Sequence, residues 1–226
     1  VTLVHGNYAD LPEILRKKKL SKADGLLLDL GFSSEQLAAG RGFSFTQFGE
    51  EPLLMTYAED RRPVREILAR LSQKELADVI WKLSGERFAR RIAKAICERR
   101  KRQPIRTNGE LAAIVRQAVP KGYERGSIDP ATRTFQALRI YANDELVNLE
   151  KVLSSLPRIL KSGGRAVIVS FHSLEDRMVK NAFRDMAKAG KLKILTKKPI
   201  EPSENEIIQN SRSHSAKLRA AMLTNN

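Results

Sequence analysis

Asp24-Gly25-Leu26-Leu27-Leu28-Asp29-Leu30-Gly31-Phe32 is the stretch whose reading decides the fold. A turn pair launches a short unbroken apolar run that ends on an acid, and a glycine-containing loop follows. Such runs suit strands of a parallel sheet, which is covered on both faces and so has no polar side to alternate with. In open parallel sheets ligands bind outside the carboxyl ends of the strands, so Asp29 is delivered to a cleft. A second run, Ala166 to Phe171, follows a turn at Lys161 to Gly164 and leads into His172-Ser173-Leu174-Glu175-Asp176-Arg177. The two runs are expected to be adjacent parallel strands that end at one shared pocket.

Outward from these runs, Val1 to His5 reads as a further buried strand, turned by Gly6-Asn7-Tyr8 into a polar helix towards Lys19. Asp129-Pro130 starts a long helix whose apolar positions, from Phe135 to Leu153, keep one face buried until Pro157. After the second run, Ser173 with Asp176 offers a helix cap. Lys193 to Thr196 and Lys217 to Leu223 alternate as two terminal strands, with Pro199 to Ser215 as an exposed loop between them. Helix and apolar strand in alternation describe an α/β layer. From about Arg61 to Tyr123 the texture is helical only, with capping boxes at Ser72/Glu75 and Thr107/Glu110. These helices are expected to pack as an inserted subdomain.

Forty-one Lys and Arg stand against twenty-six Asp and Glu, a formal charge of +15 in 226 residues. A polyanionic partner is the natural inference, and nucleic acid fits better than membrane because no lipidation signal accompanies the charge. No apolar run is long enough to span a bilayer. The single Cys97 excludes an intramolecular disulfide and suits a reducing cytoplasm, and no cysteine and histidine cluster has zinc spacing. The basic residues concentrate on the helix after Gly85. There Phe88, Ile92, Ala95 and Ile96 form an apolar stripe, while Arg87, Arg90, Arg91, Lys94, Arg99, Arg100, Lys101 and Arg102 supply a surface for phosphates. A merely solvated helix face is the alternative.

Asp29-Leu30-Gly31-Phe32 has the span of the acid-Pro-Pro-aromatic motif of amino-methyltransferases. In that motif an acid or amide meets the amine and a ring stacks on the base. A cytosine amine is a poor nucleophile because its lone pair is delocalised, so a catalyst must accept hydrogen bonds from the NH2 and align it with an activated methyl group. No metal is required. Asp29 equally suits an ordinary loop cap and Phe32 a core position. His172 is either a proton acceptor or a hydrogen-bonded structural residue, and Glu175 with Asp176 is read as a helix N-terminal charge pair.

Five segments taken together resemble the MraW family of ribosomal small-subunit RNA cytosine-N4 methyltransferases: Leu28 to Leu37, Arg41-Gly42-Phe43-Ser44-Phe45, Arg87 to Ile96, Pro130 to Ile140, and Ser170 to Arg177. The resemblance implies a Rossmann-like, class I S-adenosylmethionine-dependent methyltransferase sheet in residues 1–53 and 130–226. It also implies an inserted helical RNA-binding domain in residues 54–129. It further implies that S-adenosyl-L-methionine is held by Tyr8, Asp29 and Gln36. Asp29, Phe32 and His172, read from their own positions, are the catalytic candidates. The partner would be 16S rRNA in the small ribosomal subunit, modified in its decoding region; no membrane is involved, and a homodimer is allowed.

Departures accompany the match. Pro52-Leu53-Leu54-Met55-Thr56-Tyr57 stands where the family usually has Pro-Leu-Asp-Met-Arg-Met, so an acid and an arginine are replaced. Tyr8 replaces a Phe, Phe32 a Val, and Ser211 and His214 interrupt a late Asn-Pro-Arg-x-Arg-Ser run. The family's Gly-Gly-His donor loop and ribose-binding acid precede Val1. Sheets of this type run 3-2-1-4-5-7-6, so the chain is expected to lack the first two β-α units, to place Leu26 to Asp29 at an exposed edge, and to be inactive by itself. A non-catalytic RNA-binding or ribosome-assembly protein is the competing function.

Overall fold

The computed structural model describes residues 1–31, 33, 35, 39–44, 50–123 and 129–224. The chain divides into two compact units, one of residues 1–31 and 146–226, the other of residues 32–145. Each has its own apolar core.

The first unit is built on a mixed four-stranded sheet. Its strands are β1 (Ala23–Asp29), β2 (Leu160–Ser170), β3 (Leu192–Ile194) and β4 (Lys217–Leu223), in the spatial order β1-β2-β4-β3. β1 and β2 are parallel, with Leu28 opposite Ile168 and Asp29 opposite Val169. β4 runs antiparallel to both of its neighbours. The order is that of the last four strands of the series expected above, and the mixed α/β sheet is consistent with an S-adenosylmethionine-dependent methyltransferase fold. Helices α1 (Leu11–Lys17), α7 (Glu145–Ser154), α8 (Leu156–Ile159) and α9 (Ser173–Lys188) belong with this sheet. Leu28, Leu149, Leu153, Ile168, Val179 and Phe183 form much of its core. Arg219 on β4 pairs with both carboxylate oxygens of Asp176 at 2.6 and 3.1 Å, tying the start of α9 to the sheet.

Four expectations are corrected in this unit. Val1 to His5 forms no strand and is exposed, since no described segment offers it a ladder. β1 is not covered on both faces, as Leu27 is 70% exposed; among the described residues it is an edge strand, the place the resemblance gave it. Lys161 to Gly164 is not a turn before the strand but part of β2, where the register slips between Ala23 and Gly25. Residues 199–215 are not all loop, because they contain the short helix α10 (Glu204–Gln209) and a 3-10 segment, Ser211–Ser215.

The second unit is helical: α2 (Val64–Arg70), α3 (Gln73–Ser84), α4 (Ala89–Arg102), α5 (Asn108–Ala118) and α6 (Thr132–Ala142). Both expected capping boxes form, Ser72 with Glu75 and Thr107 with Glu110. The unit is wider than residues 54–129 at both ends. α6 places Phe135, Leu138 and Ala142 in its core, and Phe43 and Leu53 enter that core from the other side. The long helix expected from Asp129 to Pro157 is broken. Asn143 donates from Nδ2 to Met55 O at 2.8 Å and accepts from Tyr57 N–H at 2.8 Å, while Asp144 turns into the left-handed region at φ 51°. Side-chain bonds to the 55–57 backbone thus compete with helix continuation at that point. No described helix is long and apolar enough to cross a membrane.

Candidate active site

Parallel register brings the ends of β1 and β2 to one edge of the sheet. Asp29 lies beside Val169, and Leu30 N–H donates to Val169 O at 3.0 Å. The Asp29 side chain is exposed, and its Oδ1 accepts from Gly31 N–H at 2.9 Å. That bond closes a small turn and fixes the carboxylate's direction. Gly31 packs against Phe171: a methyl group at Gly31 would sit 2.8 Å from the Phe171 ring and 3.0 Å from Asp29 Oδ1. Carboxylate, bare glycine backbone and half-buried aromatic ring therefore meet at the shared edge.

His172 follows at once, as the cap of α9. Its Nδ1 lies 3.4 Å from Glu175 N–H, which donates to it, and Glu175 Oε2 accepts from Phe171 N–H at 3.0 Å and His172 N–H at 3.4 Å. His172 Nε2 is buried without a hydrogen-bond partner among the described residues and stands 3.3 Å from Glu175 Oε1. The imidazole thus replaces the expected Ser173/Asp176 cap and holds the start of α9, which favours its structural reading. Tyr8 lies half-buried in a 3-10 segment, Tyr8–Asp10, against the same core. Phe32 and Gln36 lie outside the described residues. Sequence reasoning missed Phe171 as the ring at this edge, although its place at the end of an apolar strand was a usable signal.

In the second unit, α4 sorts the basic residues by face. Arg90, Arg91, Lys94, Lys101 and Arg102 are exposed along one side. Arg100 instead turns inward and donates to Leu68 O and, at 2.7 Å, to Leu71 O, satisfying carbonyls at the end of α2. Arg99 donates to Gln103 O at 2.8 Å and lies 3.6 Å from Glu110. Arg87 lies 5.6 Å from the ring centre of Tyr123 and Arg91 5.7 Å from that of Phe88. Glu86 is fully buried and accepts from the Tyr123 hydroxyl at 3.0 Å. Burial pushes that hydroxyl's pKa up, with the Glu86 bond and charge adding to the rise.

The parallel strands thus present an acid and an aromatic ring at the carboxyl edge of an α/β sheet, the edge where open parallel sheets bind their ligands. The MraW methylase family model matches residues 1–224, and the chain belongs to that family. Over 221 residues it is 49% identical to the ribosomal RNA small subunit methyltransferase H of Coprothermobacter proteolyticus, covering 97% of this chain and 72% of that protein. The enzymes of the same name from Syntrophus aciditrophicus and Koribacter versatilis are 46% and 48% identical, with 97% and 98% of this chain and 75% and 69% of theirs covered. Methyltransferases of this family use S-adenosyl-L-methionine. The groups at this edge fit that molecule. An exposed carboxylate can accept from its polar atoms, and the Phe171 ring beside a side-chain-free Gly31 gives a flat wall for a planar heterocycle.

Proposed function

We propose that this protein methylates the exocyclic N4 amine of a cytosine in the decoding region of 16S rRNA within the small ribosomal subunit, in the cytoplasm. The observation that carries the reading is the parallel register that sets Asp29 beside the end of β2. Asp29 Oδ1 is held by Gly31 N–H, so Oδ2 is the oxygen presented to the amine, where it draws on an N–H and restores the lone pair to the nitrogen. Tyr8, Asp29 and Gln36 hold the donor, which when bound supplies an activated methyl group on a sulfonium. From the resemblance Phe32 is assigned to stack on the target base, and Phe171 is the ring beside Gly31 at the described edge. His172 acts by fixing the turn into α9 rather than by touching the base. The inserted helical unit holds RNA through the exposed face of α4.

These assignments draw support from the relatives' names, the segments that resemble the family, and the site's chemistry. The protein, incubated with labelled donor and undermethylated small subunits, should label RNA, and digestion should place the label in N4-methylcytidine. Label on another nucleoside, or none with RNA binding retained, would favour a different target or an assembly protein.

A further inference from the structure

We propose that the helical unit carries a binding site for one unpaired RNA nucleotide, in the cleft between α2 and the C-terminal end of α4; this rests on the reading that the substrate is RNA. The cleft has a volume of about 310 Å³, at the small end of the ~300–1,000 Å³ usual for ligand sites. Its floor is apolar, with Leu68 and Ile105 buried beneath it and Ala69 exposed at its lip. Arg65 and Lys101 stand exposed on its rim, and no acidic side chain lines it among the described residues. Arg100 forms one wall and is pinned to the Leu68 and Leu71 carbonyls, so the cleft is built before any ligand arrives.

An apolar floor under a cationic rim matches a nucleotide: the planar base leaves water and the flanking phosphates meet Arg65 and Lys101. Bases stacked inside a duplex present only their edges and cannot enter, so an unpaired base is required. Lys101 belongs both to this rim and to the exposed face carrying Arg90 and Lys94, since i, i+4 and i+11 share one side of a helix. A strand tracking that face is thereby led to the cleft.

The test compares binding of a short single-stranded oligoribonucleotide with that of the same sequence as a duplex, by fluorescence anisotropy. The variants are Ala69→Phe, which fills the cleft without changing charge, and the double change Arg65→Ala with Lys101→Ala. Ala69→Phe should weaken single-strand binding roughly tenfold and leave duplex binding unchanged, while the double change should lower the single-strand salt slope by about 1.4. Lys82→Ala on α3 serves as a charge control and should lose less than either. Circular dichroism melting checks that Ala69→Phe, at an exposed helical position, is folded. Equal loss for both RNA forms, or no loss with Ala69→Phe, would overturn the cleft while leaving methylation of the small subunit intact. If the unaltered protein bound neither RNA, the cleft and the RNA reading would fall together.

Discussion

Gly31 is the residue at which the site is least tolerant. A Cβ there would meet the Phe171 ring at 2.8 Å and Asp29 Oδ1 at 3.0 Å, so either the ring or the carboxylate must move. Restoring ordinary contact needs a shift approaching ~1 Å, and a misplacement of that size between reacting groups costs roughly a hundredfold in rate. Gly31→Ala should therefore lower methyl transfer by about that factor, with a thermal midpoint close to that of the unaltered protein because the turn is at the surface. Equal turnover of the two proteins would show that ring and carboxylate do not form one site. The place of Asp29 at the carboxyl end of a parallel strand was legible from the apolar run that ends on it, while its bond to Gly31 N–H also suits the loop-cap alternative. His172 was legible only as a polar residue at a strand end; its capping of Glu175 N–H depends on ring orientation, which sequence spacing does not encode. The division of Arg99 and Arg100 from their neighbours was hidden for a related reason, since a run of like charge says nothing about which members turn inward.

Among the elements, helix boundaries were readable wherever a cap is made by neighbours in sequence. Ser72 with Glu75 and Thr107 with Glu110 form their boxes as spacing requires. The break at Asn143 was not, because its partners Met55 and Tyr57 are distant in sequence and the apolar period runs on unbroken from Phe135 to Leu153. Asp129, just before α6, accepts from Arg116 Nε and Nη2 at 2.9 and 2.6 Å and from Ala131 N–H at 2.8 Å. Burial works against its charged form, but the Arg116 and Ala131 bonds and the Arg116 charge outweigh it and hold the pKa below the ordinary carboxylate range. A depressed folded pKa gives stability that is present above the unfolded pKa and lost as pH falls through the folded one. Asp129→Asn should thus lower the urea midpoint at neutral pH, and the gap from the unaltered protein should close on acidification. A gap independent of pH would assign the effect to geometry rather than charge.

The whole molecule divides its labour between a sheet unit and a helical unit, each with its own core. Its charge of +15 announced a polyanionic partner, but only the folded α4 shows where that charge is presented. Arg90→Ala and Arg102→Ala should each weaken RNA binding and reduce the salt slope by about one, with stability unchanged. Arg100→Ala should instead lose about 1–3 kcal/mol of folding stability, because two carbonyls at the end of α2 lose their donor. If Arg100→Ala lowered RNA affinity alone, the sorting of these cations by helix face would be wrong. The strand order β1-β2-β4-β3 and the exposed edge at β1 were foreseeable through the resemblance, whereas the apolar pattern of Val1 to His5 by itself reads as a strand and says nothing of whether a ladder partner is at hand.

The central claim is that the Asp29 carboxylate, set by β-strand register at the shared edge, drives transfer to the amine. Asp29→Asn keeps an oxygen acceptor for Gly31 N–H and removes only the charge, so single-turnover methyl transfer to the small subunit measures that charge directly. The account predicts a fall of about a hundredfold or more with folding unchanged. Transfer at the rate of the unaltered protein would contradict it.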